Sequence, residues 1–133
     1  MTNPVSIALS GLTAATARVN AAAGNIANAG TSGATENGNG PAPYTPVDVI
    51  QTSIPDNGVV AELQPRTDGT TQVYQPDSPY ADPNGLVAAP NVDLANEIVQ
   101  LNDAANAYRA NAAVIRVANE MEKELFGRFD ETV

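Results

Sequence analysis

The prolines of this 133-residue chain are concentrated in its middle, where nine of the ten lie between Pro41 and Pro90. Proline lacks a backbone N–H and clashes with the preceding helical turn, so this stretch cannot form a long helix. The flanking sequences carry no such restriction. We therefore divide the chain into an N-terminal helix (1–30), a loop and short-strand region (31–92) and a C-terminal helix (93–133).

The N-terminal segment carries a seven-residue repeat. Its large apolar members are Val5, Leu12, Val19 and Ile26, and alanines that include Ala15 and Ala22 follow them by three residues. This spacing is that of the a and d positions of a coiled coil. Asn3 before Pro4 predicts a helix start and Gly30 a stop. Because the other faces are small and uncharged, the pattern favours a helix surrounded by other helices.

The C-terminal segment repeats the pattern. Its seven-residue series is Leu94, Leu101, Tyr108 and Ile115, with Ile98, Ala105 and Ala112 four residues after the first three. The cap residue Asp93 and the stop Gly127 predict a helix over Asp93–Phe126. The repeats alone fit an intramolecular helical hairpin as well as packing between chains, and the missing charges near the N-terminus favour the second.

The middle region predicts strands rather than helix. The β-prone runs are Tyr44–Thr52, Val59–Leu63 and Thr71–Tyr74, separated by turn signals at 56–58 and 68–69. Residues 34–43 predict a flexible loop, and Pro76–Pro90 predicts an extended connector. The expected fold is therefore mainly α with a small β region, in which the terminal helices pair as an antiparallel coiled coil around a Pro/Gly-rich β-hairpin and loop middle.

The composition leaves little room for catalysis. Without His or Cys the chain lacks the usual general base, thiol nucleophile and preferred zinc ligands, so we expect neither a metal nor a cofactor. The net charge of −9 argues against nucleic acid and anionic membrane as partners. No segment is apolar enough for membrane insertion, and no basic residue precedes the first apolar stretch, so we expect no cleaved signal peptide.

Specific residues then resemble a known family. Asn25-Ile26-Ala27-Asn28, inside an alanine-rich stretch, resembles a signature of the bacterial flagellar axial proteins, which form the rod and hook. The sequence from Pro90 to Leu94, together with the residues Glu97, Val99, Tyr108, Met121 and Leu125, is similar to the tail of the flagellar basal-body proximal rod protein C family. Val73–Pro76 resembles the connector of the same family.

This resemblance implies a non-enzymatic structural subunit. Such proteins are exported uncleaved through the flagellar type III apparatus and polymerise helically in the periplasm, through their terminal helices, into the driveshaft needed for motility. The implied partners are other copies of the chain and other rod subunits. The alternatives are another flagellar axial protein, a filament subunit of a related export machine and, less favoured, a carboxylate-dependent hydrolase.

The predicted assembly interface combines the two repeats with two asparagines that are either surface amides or buried amides bonded across helices. Its members are Leu12, Ala15, Val19, Ala22, Asn25, Ile26, Asn28, Leu94, Ile98, Leu101, Tyr108 and Ile115.

Overall fold

The structure, a computed structural model, describes residues 3–36, 38–55 and 57–130. In chain order its elements are α1 (Pro4–Asn28), β1 (Val47–Ile54), β2 (Gly58–Pro65), β3 (Thr70–Tyr74), β4 (Leu86–Pro90) and α2 (Leu94–Asp130). The outer ends of the predicted segments 1–30 and 93–133, Asn37 of the predicted loop and Asp56 of the predicted turn lie outside the described residues.

Local capping explains where both helices begin. The Asn3 side chain accepts a hydrogen bond from the Val5 N–H at 2.9 Å, ahead of Pro4 in the first turn. The Asp93 carboxylate accepts from the Ala95 N–H at 2.9 Å. At the other end, α2 continues through Gly127, so the predicted stop at Phe126 is wrong. Glycine commonly ends a helix by adopting the left-handed conformation after the last turn. Within a helix it lowers stability by only about 1 kcal/mol relative to alanine, so the helix can continue through it.

Two separate antiparallel sheets occupy the middle of the chain. Strands β1 and β2 pair from Val47↔Pro65 to Ile54↔Gly58. Strands β3 and β4 pair from Thr70↔Pro90 to Tyr74↔Leu86. An isolated antiparallel bridge pairs Gly33 with Ala88 on the side of β4 that faces away from β3. This bridge holds the residue just before the predicted flexible loop against the sheet.

The predicted fold class is wrong. About 48% of the chain is helical and 22% is strand, in two sheets, so the molecule is an α+β protein rather than a mainly α protein with one β-hairpin. The missed strand is β4, which lies in the predicted connector Pro76–Pro90. Five residues of Leu, Val, Ala and Pro give a weak local signal. They become a strand because β3 and Gly33 supply hydrogen-bond partners on both sides.

Helix α1 packs against α2 and against the β1–β2 hairpin. A Cβ atom added to Gly11 would lie 2.5 Å from Asn111 Oδ1, so the two helices approach closely there. Nearer the start of α1, Pro4 shares a groove with Met121 of α2, so the helices run in opposite directions. The buried apolar residues of α1 are all alanines: Ala8, Ala14, Ala15, Ala21 and Ala22.

The terminal helices pair in opposite directions, as predicted, but coiled-coil packing of the predicted repeats is not shown. In a coiled coil the large residues of both repeats would fill the seam between the helices. Here the fully buried positions of α2 are instead Glu97 and Ala104, while Leu94 and Ile98 of its repeat are exposed.

Within the three described ranges, no helix combines the length and the apolar character needed to cross a membrane.

Candidate assembly surface

The α1 members of the predicted interface lie mostly on the face that packs within the chain. Ala15 and Ala22 are buried, while Leu12, Val19 and Ile26 are half-buried at the edges of that face. The small residues of the repeat make the intramolecular contacts. The large ones are therefore only partly covered.

Asn25 is a buried amide, only 1% exposed, but it does not bond across the helices. Its Nδ2 donates to the Val47 carbonyl at 2.9 Å, and its Oδ1 accepts from the Val47 N–H and from the Tyr44 hydroxyl, both at 3.0 Å. It therefore ties α1 to the first residue of β1. Asn28 is half-buried, and its Nδ2 donates to the Gly24 carbonyl of its own helix at 2.9 Å.

The α2 members are placed differently. Leu94, Ile98 and Tyr108 are exposed, and Leu101 and Ile115 are half-buried. The structure therefore does not bring the two predicted repeats together in one closed seam. It leaves most of the large α2 residues available to another molecule.

A charged cluster that sequence reasoning missed holds the start of α2. Glu97 is only 1% exposed, and its Oε1 accepts a hydrogen bond from Nη2 of Arg66 at 2.6 Å. The Nε of the same arginine donates to Oδ1 of Asp48 in β1 at 2.8 Å. Arg66 thus joins the base of the β1–β2 hairpin to the first turn of α2.

The hydrogen bond to the Asp48 carboxylate, supported by that to Glu97, raises the pKa of Arg66 above its usual value, although burial opposes this. The guanidinium therefore stays charged at any physiological pH. Nothing local in the sequence marks this cluster, because Glu97 in the first turn of a helix is expected simply to favour the helix dipole. Its partner lies 31 residues away along the chain.

The C-terminal half of α2 carries an exposed apolar stripe, which we define as Val114, Val117, Met121 and Leu125. Spacings of three and four residues place these side chains on one helix face. All four are exposed, with Met121 at 66% and Leu125 at 57%. Pro4, the first residue of α1, lines the same apolar groove of about 360 Å³ as Val114, Val117 and Met121. The α2 residues beyond Met121 therefore extend past the start of α1.

A second groove, which we call the interhelix groove, lies further along the helix pair. It has a volume of about 410 Å³ and is lined by Thr16 and Val19 of α1 and by Ala105, Tyr108 and Arg109 of α2. Tyr108 and Val117 are nine residues apart, which places them on opposite sides of α2. The helix pair thus presents two distinct surfaces.

These surfaces can bury apolar area against another protein, which is what extended exposed apolar patches on a folded chain indicate. In the part of the chain that the structure describes, no group of three or more carboxylates is arranged to hold a metal ion. The fold and its surfaces are typical of a structural subunit that packs against neighbouring chains.

Comparison with known proteins identifies which kind of subunit this is. The family model described as "Flagellar basal body rod FlgEFG protein C-terminal" matches residues 84–127, from the turn before β4 into α2. The chain is 35% identical to the flagellar basal-body rod protein FlgC of Escherichia coli O6:H1 over 127 residues, which cover 90% of each chain. It is 34% identical over the same length and coverage to FlgC of Salmonella typhimurium strain LT2.

A more divergent relative agrees. The flagellar basal-body rod protein FlgC of Borreliella burgdorferi is 30% identical over 137 residues, which cover 88% of this chain and 90% of that protein. The chain therefore belongs to the FlgC family of flagellar basal-body rod proteins, which confirms the resemblance found in the sequence. Its function is that of a structural subunit of the basal-body rod.

Proposed function

We propose that the chain polymerises helically with other rod subunits through its terminal helices, and that the apolar stripe of α2 is the main contact. The observation that carries this proposal is the exposure of the stripe on α2, which is longer than α1 and extends past its start. α2 has 37 residues and α1 has 25, or lengths of about 55 Å and 37 Å at 1.5 Å per residue.

The energy available from the stripe supports this use. Fully burying one Val, Leu or Met side chain stabilises an association by about 1.5–3 kcal/mol relative to leaving it exposed. Four such side chains on one face therefore offer several kcal/mol per contact. The contact is repeated by every copy in a polymer, so a modest interface becomes a stable rod.

We also propose that the neighbours are further copies of this chain and other rod subunits, and that the assembled rod lies in the periplasm as part of the motility driveshaft. The route there is the flagellar type III export apparatus, without cleavage of the N-terminal helix. The packing of α1 supports the absence of cleavage. Cleavage near Gly24 would remove most of the buried residues of α1, among them Ala8, Ala14, Ala15 and Ala21. The division into segments 1–30, 31–92 and 93–133 stays a prediction.

A charge introduced into the stripe tests the assembly surface. We expect Val117→Asp to abolish or strongly reduce swimming while the protein is made and exported, because a carboxylate would be buried in every subunit contact. Asn119→Asp is the matched control. It adds the same charge to an exposed position of α2 two residues away, about 200° around the helix.

The measurement is the swimming-halo diameter, together with the amount of the chain in purified basal bodies. If Val117→Asp cells swim as well as Asn119→Asp cells with equal amounts of the chain in their basal bodies, the stripe is not an assembly contact.

A further inference from the structure

The outer face of the β1–β2 hairpin is a second exposed surface. Residues 48, 50, 52 and 54 of β1 share one face with 60, 62 and 64 of β2, because side chains alternate along a strand. All seven are exposed, whereas Val49, Val59 and Ala61 on the other face are partly covered. Helix α1 packs against the opposite face of the hairpin. On the outer face, Asp48 is bonded to Arg66 at the base of the hairpin, while Ile50, Val60 and Glu62 are exposed.

Ile50, Val60 and Glu62 lie in the middle of this face, and Ile54 lies at its turn end. Ile50 is 49% exposed, and Ile54 and Val60 are also exposed. In the register of the hairpin, Ile50 lies opposite Glu62 and Thr52 lies opposite Val60. Directly opposed Cβ atoms are about 5 Å apart and diagonal neighbours about 7–8 Å apart, so Ile50, Glu62 and the diagonal neighbour Val60 form one patch. Among the described residues, Glu62 takes part in no salt bridge.

The interhelix groove has the opposite charge character. Among the described residues, its walls are apolar or hydroxyl-bearing apart from the charged side chain of Arg109. The Arg109 guanidinium donates to Asn106 Oδ1 of its own helix at 3.2 Å and, within the part of the chain that the structure describes, forms no salt bridge. An apolar groove edged by a cation thus complements an apolar patch edged by a carboxylate.

We propose that the interhelix groove of one copy of this chain receives the outer hairpin face of a second copy, with Ile50 and Val60 entering the groove and Glu62 pairing with Arg109. This proposal rests on the rod-subunit function and adds a contact that is separate from the α2 stripe. The two surfaces are different patches of the same chain, so the contact is heterologous. Such contacts build rings where the rotation between copies closes and open helical arrays where it does not, as a rod requires.

Charge complementarity between the two surfaces supports a second copy as the occupant of the groove. A chain with net charge −9 repels its own copies, so an interface between copies needs its few cations to meet acids directly. Arg109 facing Glu62 satisfies that requirement, whereas like charges placed together at an interface oppose association.

Disulfide trapping tests the contact, because the chain has no cysteine of its own. Cells would produce Glu62→Cys and Arg109→Cys as two separate chains, and basal bodies would be oxidised and run on a non-reducing gel. A disulfide between these variants can form only between copies. We expect a dimer band severalfold stronger than with the control pair Asp77→Cys and Arg109→Cys, in which the exposed acid lies outside the hairpin.

Charge exchange gives a second, independent readout. We expect Glu62→Arg and Arg109→Glu each to weaken the contact about tenfold or more, and the double variant to recover most of the loss. The measurement is the amount of the chain per purified basal body.

The outcomes separate this contact from the rod function itself. If rods contain both cysteine variants but show no dimer above the control pair, the hairpin contact is overturned and the rod function is unaffected. The same conclusion follows if the double charge variant is no better than the single ones. Absence of even the wild-type chain from basal bodies overturns both.

Discussion

Asn25 offers the most quantitative test of how α1 is joined to the rest of the fold. Replacing it with alanine removes three hydrogen bonds, two to the Val47 backbone and one to the Tyr44 hydroxyl. Each intramolecular hydrogen bond contributes about 1 kcal/mol net, and a buried group left unpaired costs more. We therefore expect Asn25→Ala to lower the free energy of unfolding by about 3 kcal/mol or more.

The assay is urea unfolding of the full chain, followed by circular dichroism. With a denaturant slope of about 1.5 kcal/mol per molar, a loss of 3 kcal/mol moves the midpoint down by about 2 M. Tyr44→Phe removes one of the three bonds and should lower the free energy of unfolding by about 1 kcal/mol. Asn28→Ala is the matched control, because that amide bonds only to Gly24 of its own helix.

A different result is possible: Asn25→Ala could unfold at the same urea concentration as Asn28→Ala. In that case, the buried amide would not be the link between α1 and β1. A Tyr44→Phe effect as large as that of Asn25→Ala would instead show that the tyrosine hydroxyl alone carries the interaction.

Three further substitutions test the packing. Gly11→Ala should lower the melting temperature, because its Cβ would lie 2.5 Å from Asn111 Oδ1, and a second change, Asn111→Ala, should restore it. Ala15→Leu should cost about 1–3 kcal/mol in urea unfolding by overfilling a closed contact, whereas Ala23→Leu, at an exposed position of the same helix, should be close to neutral. Arg66→Met should cost about 3–5 kcal/mol by leaving the Glu97 carboxylate buried without its partner, and Arg66→Met with Glu97→Met should recover most of that loss in thermal unfolding.

The sequence predicted those features that short-range chemistry determines. Asn3 and Asp93 cap their helices through residues two positions away, so both starts were visible in the sequence. Strand β4 was missed because its partners, β3 and Gly33, are remote along the chain. The burial of Glu97 was missed for the same reason, because its partner Arg66 lies 31 residues away along the chain.

The candidate surface was predicted only in part, for a related reason. A seven-residue repeat shows which residues share a helix face, but it does not show which neighbour covers that face. In α1 the alanines of the repeat pack within the chain, while Leu94 and Ile98 of α2 stay exposed. The Asn25 side chain accepts hydrogen bonds from Tyr44 and Val47 of the middle segment. The periodicity of the helices could not reveal these partners.

If the α2 stripe is an assembly contact, its accessibility must fall when the chain enters the rod. A Val117→Cys variant carries a single thiol, because the chain has no other cysteine. Its rate of labelling by a soluble maleimide would be measured in the free chain and in purified basal bodies. We expect rapid labelling of the free chain, where Val117 is exposed, and strong protection in the rod. Equal labelling rates in the two states would contradict this expectation.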